Sequence, residues 1–156
     1  MTDDSYVFVN NKKLKRGHTT GTCAAAATKA ATEALLSGKL VDTVKIHTPK
    51  GIILDLPVED MQIGDGYVSC AVRKDGGDDI DATHGTLVYS KVSKAESGIN
   101  IDGGIGVGRV TRKGLDQPVG NAAINRVPRS MIKEAVEDVQ FSSDYKGGFD
   151  IIISVP

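Results

Sequence analysis

Phe149-Asp150-Ile151-Ile152-Ile153-Ser154-Val155 is a run of aliphatic residues interrupted by a single carboxylate. Such a run reads as a strand buried on both faces, the kind that lies inside a parallel or mixed sheet. A strand of that kind ordinarily leads into a loop and a covering helix, so the sequence predicts that 1–156 is the amino-terminal part of a longer polypeptide. Upstream, Pro128 suits the first turn of a helix whose Met131, Ile132, Ala135, Val136 and Val139 line one stripe while Lys133, Glu134, Glu137 and Asp138 face water.

Further back, 22–37 is rich in alanine and leucine and predicts a helix roughly 24 Å long, with Thr20 or Thr22 as its N-cap and Gly38 ending it. Its Ala24, Ala27, Ala31 and Leu35 make a nearly smooth face that lets a backbone or a sheet come close. Val44, Ile46 and Thr48 alternate with polar residues, Pro49-Lys50-Gly51 turns the chain, and Ile52, Leu54, Leu56 and Val58 alternate again, which is a β-hairpin pattern. Further strands fit 67–72, 86–92 and 107–111. The expected fold class is therefore α+β: one domain over 1–156, with a mixed or antiparallel sheet, two principal helices and a buried last strand.

The 156 residues are 40% apolar and 25% charged, an ordinary globular composition that needs no disulfide or metal staple to reach a core. Cys23 and Cys70, with no close-spaced pair between them, fit neither a disulfide scaffold nor a four-cysteine zinc site. The start, Met1-Thr2-Asp3-Asp4, lacks the basic flank and apolar core of an export signal, and the apolar runs are short, so the sequence predicts a cytoplasmic chain without a membrane span. A net charge of −1 and 4% aromatic residues argue against a nucleic-acid or membrane-surface binder. The charge is segregated, however. Seven acids lie between Glu59 and Asp81, six bases lie between Arg109 and Lys133, and Lys12, Lys13, Lys15 and Arg16 form a second basic run. Each run alone fits a solvated face, and the two basic runs together favour a small polyanion.

Three segments are candidates for chemistry. Arg16-Gly17-His18-Thr19-Thr20-Gly21-Thr22-Cys23 opens the first helix, where unpaired N–H groups, the positive end of the dipole and hydroxyls hold anions. Cys23 reads either as a low-pKa thiolate or as a small buried cap residue, and His18 either as a general base or as a loop histidine. In the loop 74–85, Asp75, Asp78, Asp79 and Asp81 suit a hard cation or acid–base work, although their spacing does not follow an EF-hand; a solvated hairpin connection is the other reading. The run 103–114 is glycine-rich, but its third position falls on Arg109 or Thr111, so the dinucleotide fingerprint fails, and no Walker lysine follows. What remains is a flexible glycine bend delivering a basic strand to carboxylates or phosphates. From the residues alone the substrate stays open. An anion-binding module with no catalytic role and a phosphate-ester enzyme using the Thr-Gly-Thr helix start stand as alternatives.

Taken together and in order, Leu14 to Ala27, Lys74 to Gly85, Gly104-Ile105-Gly106 with Thr111-Arg112-Lys113-Gly114-Leu115, Pro118-Val119-Gly120, Ala123-Ile124-Asn125 and Pro128-Arg129 resemble the CbiD family. These are the cobalt-precorrin-5B C1-methyltransferases of anaerobic cobalamin biosynthesis. The resemblance implies methyl transfer from S-adenosylmethionine to ring carbon C1 of a cobalt corrin precursor, giving cobalt-precorrin-6A. Cobalt enters only as part of the substrate, with no metal site on the protein. The partner it implies is the corrin precursor, not nucleic acid or membrane, and homo-oligomerisation stays open. For a module with no catalytic role, the resemblance makes a corrinoid the anion it would take. Within the motif positions the candidate catalytic residues are His18, Asp75 and Asp78. The candidate substrate contacts are Arg16, Thr19, Thr20, Gly21, Thr22, Cys23, Asp79, His84, Arg109, Thr111, Lys113, Asn125 and Arg129. Family members run on past a strand like 151–155 into a glycine-rich region, and if the methyl donor binds there, residues 1–156 alone are not a working enzyme.

Overall fold

In the computed structural model, residues 6–9, 12–15, 20–48, 51–74, 86–107, 124 and 126–156 are described, the first two segments as main chain only. The order of elements among them is β1 (Tyr6–Val9), β2 (Lys12–Lys15), α1 (Thr20–Ser37), β3 (Thr43–His47), β4 (Ile53–Pro57), β5 (Glu59–Ile63), β6 (Tyr67–Arg73), β7 (Leu87–Ala95), β8 (Ile99–Gly103), α2 (Arg126–Phe141) and β9 (Gly148–Ser154). The fold is α+β, as expected. β1 and β2 form one antiparallel pair and β3 and β4 another, the latter being the predicted hairpin. The remaining strands form one mixed sheet in the order β5-β6-β7-β9-β8, in which only β8 and β9 run parallel.

β9 is the predicted interior strand, hydrogen-bonded to β7 on one side and β8 on the other. Its two faces differ from the expectation. Phe149, Ile151 and Ile153 are buried under the helices, whereas Asp150 is exposed and Ile152 keeps 40% of its surface in water. Among the described residues no element covers that second face. It carries hydrogen-bonded polar pairs instead, Asn100 Nδ2 donating to Asp150 at 3.0 Å and the Tyr89 hydroxyl to Asp60 at 2.8 Å. Asp60 sits at φ 50° where the β5–β6 register shifts, and the Tyr89 hydroxyl holds this bulge.

α1 lies over β6 and β7. Its alanines let the helix approach so closely that the Cys70 thiol donates to the Ala27 carbonyl at 3.1 Å. Inside, Thr28 Oγ1 donates to the Ala24 carbonyl at 2.8 Å, so its 2.7 Å contact with Ser90 Oγ takes the serine proton. That bond fixes α1 along β7. The helix is enclosed on most sides, by the sheet, by α2 and by the β3–β4 pair, to which Lys29 Nζ donates at the Lys45 carbonyl. Gly38 ends it at φ 74°, its N–H returning to Ala34 at 2.8 Å. α2 buries Met131, Ile132, Ala135 and Val136 of the predicted stripe and leaves Val139 half-buried.

The strand expected at 107–111 is not found at Val107, which lies outside any strand, and 108–111 lie outside the described residues. β8, beginning eight residues earlier at Ile99, stands in the sheet beside β9 instead. No described helix is long and apolar enough to cross a membrane.

Candidate functional site at the amino ends of both helices

Strand register fixes where the motif segments attach. Arg73 pairs with Leu87, Tyr89 with Ser154, and Gly103 with Ile153, so the ends of β6, β8 and β9 and the start of β7 share one edge of the sheet. The helices begin at that same edge. Cys23 Sγ lies 3.8 Å from the Arg73 carbonyl, and Arg129 Nη1 donates to the Ile101 carbonyl of β8 at 3.4 Å. The two starts also touch: a Cβ on Gly21 would lie 3.0 Å from the Pro128 ring. Consequently 16–19, 75–85 and 108–125 are all joined to described residues along a single rim.

At this rim two helix dipoles present their positive ends. Neither α1 nor α2 has an acidic residue in its first turn, so no side chain of those turns offsets that potential, and Arg126 and Arg129 add to it. Proline at the third position of α2 removes an N–H that the helix could not have used. The arrangement is chemically suited to carboxylates or phosphates.

The described candidates divide by burial. Thr20 is exposed and Gly21 half-buried, whereas Thr22 and Cys23 are buried. Both threonines lie inside α1, so the N-cap falls before Thr20 rather than on either of them. Cys23 is buried in the first turn of α1, its side chain facing the Arg73 carbonyl at the end of β6. Arg129 donates from Nε to the Ile124 carbonyl at 2.7 Å as well as to Ile101, which ties the first turn of α2 to β8. Arg16, His18, Thr19, Asp75, Asp78, Asp79, His84, Arg109, Thr111, Lys113 and Asn125 lie outside the described residues.

The glycine segment corrects one expectation. Gly104-Ile105-Gly106 is a locked turn rather than a flexible bend. Gly104 N–H donates to the Ile153 carbonyl at 2.7 Å, Val155 N–H to Ile105 at 2.7 Å, and Val107 N–H to Gly104 at 3.2 Å. Gly106 has φ 79°, and a Cβ there would stand 1.8 Å from the Val155 carbonyl oxygen. A sequence can signal glycine spacing, but the close approach of a strand 50 residues away leaves no local mark. A cleft of about 620 Å³ opens at the other end of both helices, between Glu33, Leu36, Val139 and Tyr145, and none of the candidate residues lines it.

A family model described as CbiD matches residues 7–156. The chain belongs to the CbiD family. This CbiD chain is 48% identical over 151 residues to the cobalt-precorrin-5B C(1)-methyltransferase of Ruminiclostridium cellulolyticum, covering 97% of this chain and 39% of that protein. It is 53% identical over 152 residues to the protein of the same name from Thermoanaerobacter sp. (strain X514), covering 97% and 41%. A 1.9 Å crystal structure of the cobalamin biosynthesis protein CbiD from Archaeoglobus fulgidus superposes with a TM-score of 0.65 at 29% identity, over 96% of this chain and 47% of that one. The chain thus spans about two fifths of the length of the curated relatives it matches.

Proposed function

We propose that this chain forms the acceptor-binding portion of an enzyme that transfers a methyl group from S-adenosylmethionine to C1 of cobalt-precorrin-5B, giving cobalt-precorrin-6A. The observation that carries the reading is the match over nearly the whole chain to relatives bearing that name. The rim supports it physically. A corrin precursor is edged with acetate and propionate groups, and two helix amino ends with no acid in their first turns suit such an edge.

The acceptor carbon is itself electron-rich, so no protein nucleophile is needed. The methyl carbon's bond to sulfur breaks as its bond to C1 forms, and the sulfonium becomes the neutral thioether of S-adenosylhomocysteine. What the protein must contribute is alignment of the two reactants and exclusion of water. The part of the chain described here serves the first of these by holding the acceptor's carboxylates at a fixed edge. His18, Asp75 and Asp78 remain the proposed catalytic positions, in segments joined in sequence to that edge.

The full-length polypeptide, given cobalt-precorrin-5B and methyl-labelled S-adenosylmethionine, should yield a product one methyl heavier with the label at C1. Label at another carbon, or none, refutes the reading. Tight corrin binding without transfer would favour the non-catalytic module.

A further inference from the structure

Two large aliphatic side chains stand in water on the rim. Ile105 is 73% exposed and Val127 is 57% exposed. Neither position is accidental in its backbone. Ile105 is the tip of the turn between Gly104 and Gly106: its carbonyl accepts from Val155, Gly104 N–H donates to Ile153 of β9, and Val107 N–H closes the turn onto Gly104. Gly106 lies so close to the Val155 carbonyl that a Cβ there would stand 1.8 Å from it, so the turn is pressed against backbone and has little room to roll its tip inward. A β-branched residue is poorly suited to a turn and gains nothing there from packing. Val127 is in the first turn of α2, next to the proline that meets Gly21 of α1, so it stands where the two helix starts touch. Arg129 holds that turn to β8, which leads into the Ile105 turn.

A ligand recognised by this edge must therefore combine carboxylates for the helix starts with an apolar surface for the two aliphatic residues. A corrin has that combination, a broad hydrocarbon face ringed by carboxylates. We propose that Ile105 and Val127 are specificity contacts that pack against the face of the macrocycle, while the helix amino ends take its side-chain carboxylates. The inference rests on the corrin reading above. It adds that affinity has an apolar part, separable from the electrostatic one.

The test uses the full-length polypeptide and cobyrinic acid, a cobalt corrin with free carboxylates, titrated by its visible absorption at two ionic strengths. Ile105→Asn and Val127→Asn should each weaken binding roughly tenfold, with the salt dependence and thermal midpoint of the wild type. Ile105→Val should retain most of the affinity. Leu40→Asn, at a residue 68% exposed just after α1 ends at the opposite side of the fold, should bind as the wild type does. If the wild type binds and both asparagine variants bind within twofold of it, the apolar contact is wrong and the corrin reading stands. If the wild type does not bind cobyrinic acid, the corrin reading itself falls and the inference with it.

Discussion

Gly106→Ala puts the locked turn to a quantitative test. Two penalties combine at this position. The φ of 79° is one that an alanine adopts at a cost of about 1 kcal/mol relative to glycine. The added Cβ would also stand 1.8 Å from the Val155 carbonyl oxygen, a backbone atom that cannot rotate away. Relieving that overlap separates the turn from the end of β9 and breaks the Val155–Ile105 and Gly104–Ile153 hydrogen bonds, each contributing roughly 1 kcal/mol. The total is roughly 3 kcal/mol, which for a chain of this size lowers the thermal midpoint by about 6–12 °C. Gly38→Ala is the matched comparison, because Gly38 has φ 74° and nothing within 4 Å of its Cβ position. It should lose only the conformational part, about 1 kcal/mol. Urea unfolding of both variants measures the difference directly. Equal losses would mean that the turn does not press on β9, and the argument for a fixed Ile105 would go with it.

Burial pushes the Cys70 thiol up to about 12. The unfolded thiol ionises near 8.5, so this group's contribution is complete below that pH and is lost as pH rises toward 12. Unfolding free energy should fall between pH 8.5 and 11 more steeply in the wild type than in Cys70→Ala, and equal slopes would contradict the buried-thiol assignment. Burial also raises the Glu33 carboxyl above its ordinary value, with Lys29 opposing the shift. Ionised Glu33 therefore works against folding above its ordinary range, and Glu33→Gln should melt no lower than the wild type at pH 7; a clear loss in thermal scans would count against this. Arg73 and Glu59 form a two-pronged pair with both nitrogens at 3.0 Å, yet the side chains are 50% and 34% exposed. Arg73→Ala should cost under about 1 kcal/mol in urea unfolding, and a loss of several would show the pair to be far better shielded than its exposure indicates.

The elements legible in the sequence were those with a local cause. α2 carries an apolar stripe at helical spacing and a proline in its first turn; the β3–β4 pair alternates on both arms; α1 ends at Gly38. Three features escaped. β2 is Lys12-Lys13-Leu14-Lys15, whose charges read as a basic run although its backbone pairs residue by residue with β1. β5 and β8 are short, five residues each, and neither buries a residue fully; β8 does alternate in Ile99-Asn100-Ile101-Asp102, but over too few residues to stand out beside the glycine run that follows. Asp150 and Ile152 were expected under cover because three successive isoleucines, 151–153, put apolar side chains on both faces, and Asp150 was the one mark of which face the helices leave open. The same limit governs the site. Glycines at 104 and 106 were visible, but their purpose lies in contacts with residues 152–155, which no local spacing encodes.

The exposed position of the rim follows from the most buried part of the fold. Seven alanines of α1 are at most 3% exposed, and a side chain of one carbon has no rotamer with which to absorb a change in spacing. The position of the helix is therefore set by direct approach of its backbone to the sheet, measured by the Cys70–Ala27 contact, and by the Thr28–Ser90 bond that fixes it lengthwise. A helix held this way carries its first turn to one place relative to the end of β6, and the Gly21–Pro128 contact passes that placement on to α2. Arg129 then fixes α2 against β8, and the Gly104–Gly106 turn fixes the end of β8 against β9. Each link is a short hydrogen bond or a close contact involving backbone or a small side chain, except the Arg129 bond, which ties a longer side chain to the Ile101 carbonyl at 3.4 Å. The frame from which the family's motif segments continue in sequence thus has its geometry set by packing on its buried side, and so two helix starts can present a constant field to a ligand from which the core itself is closed.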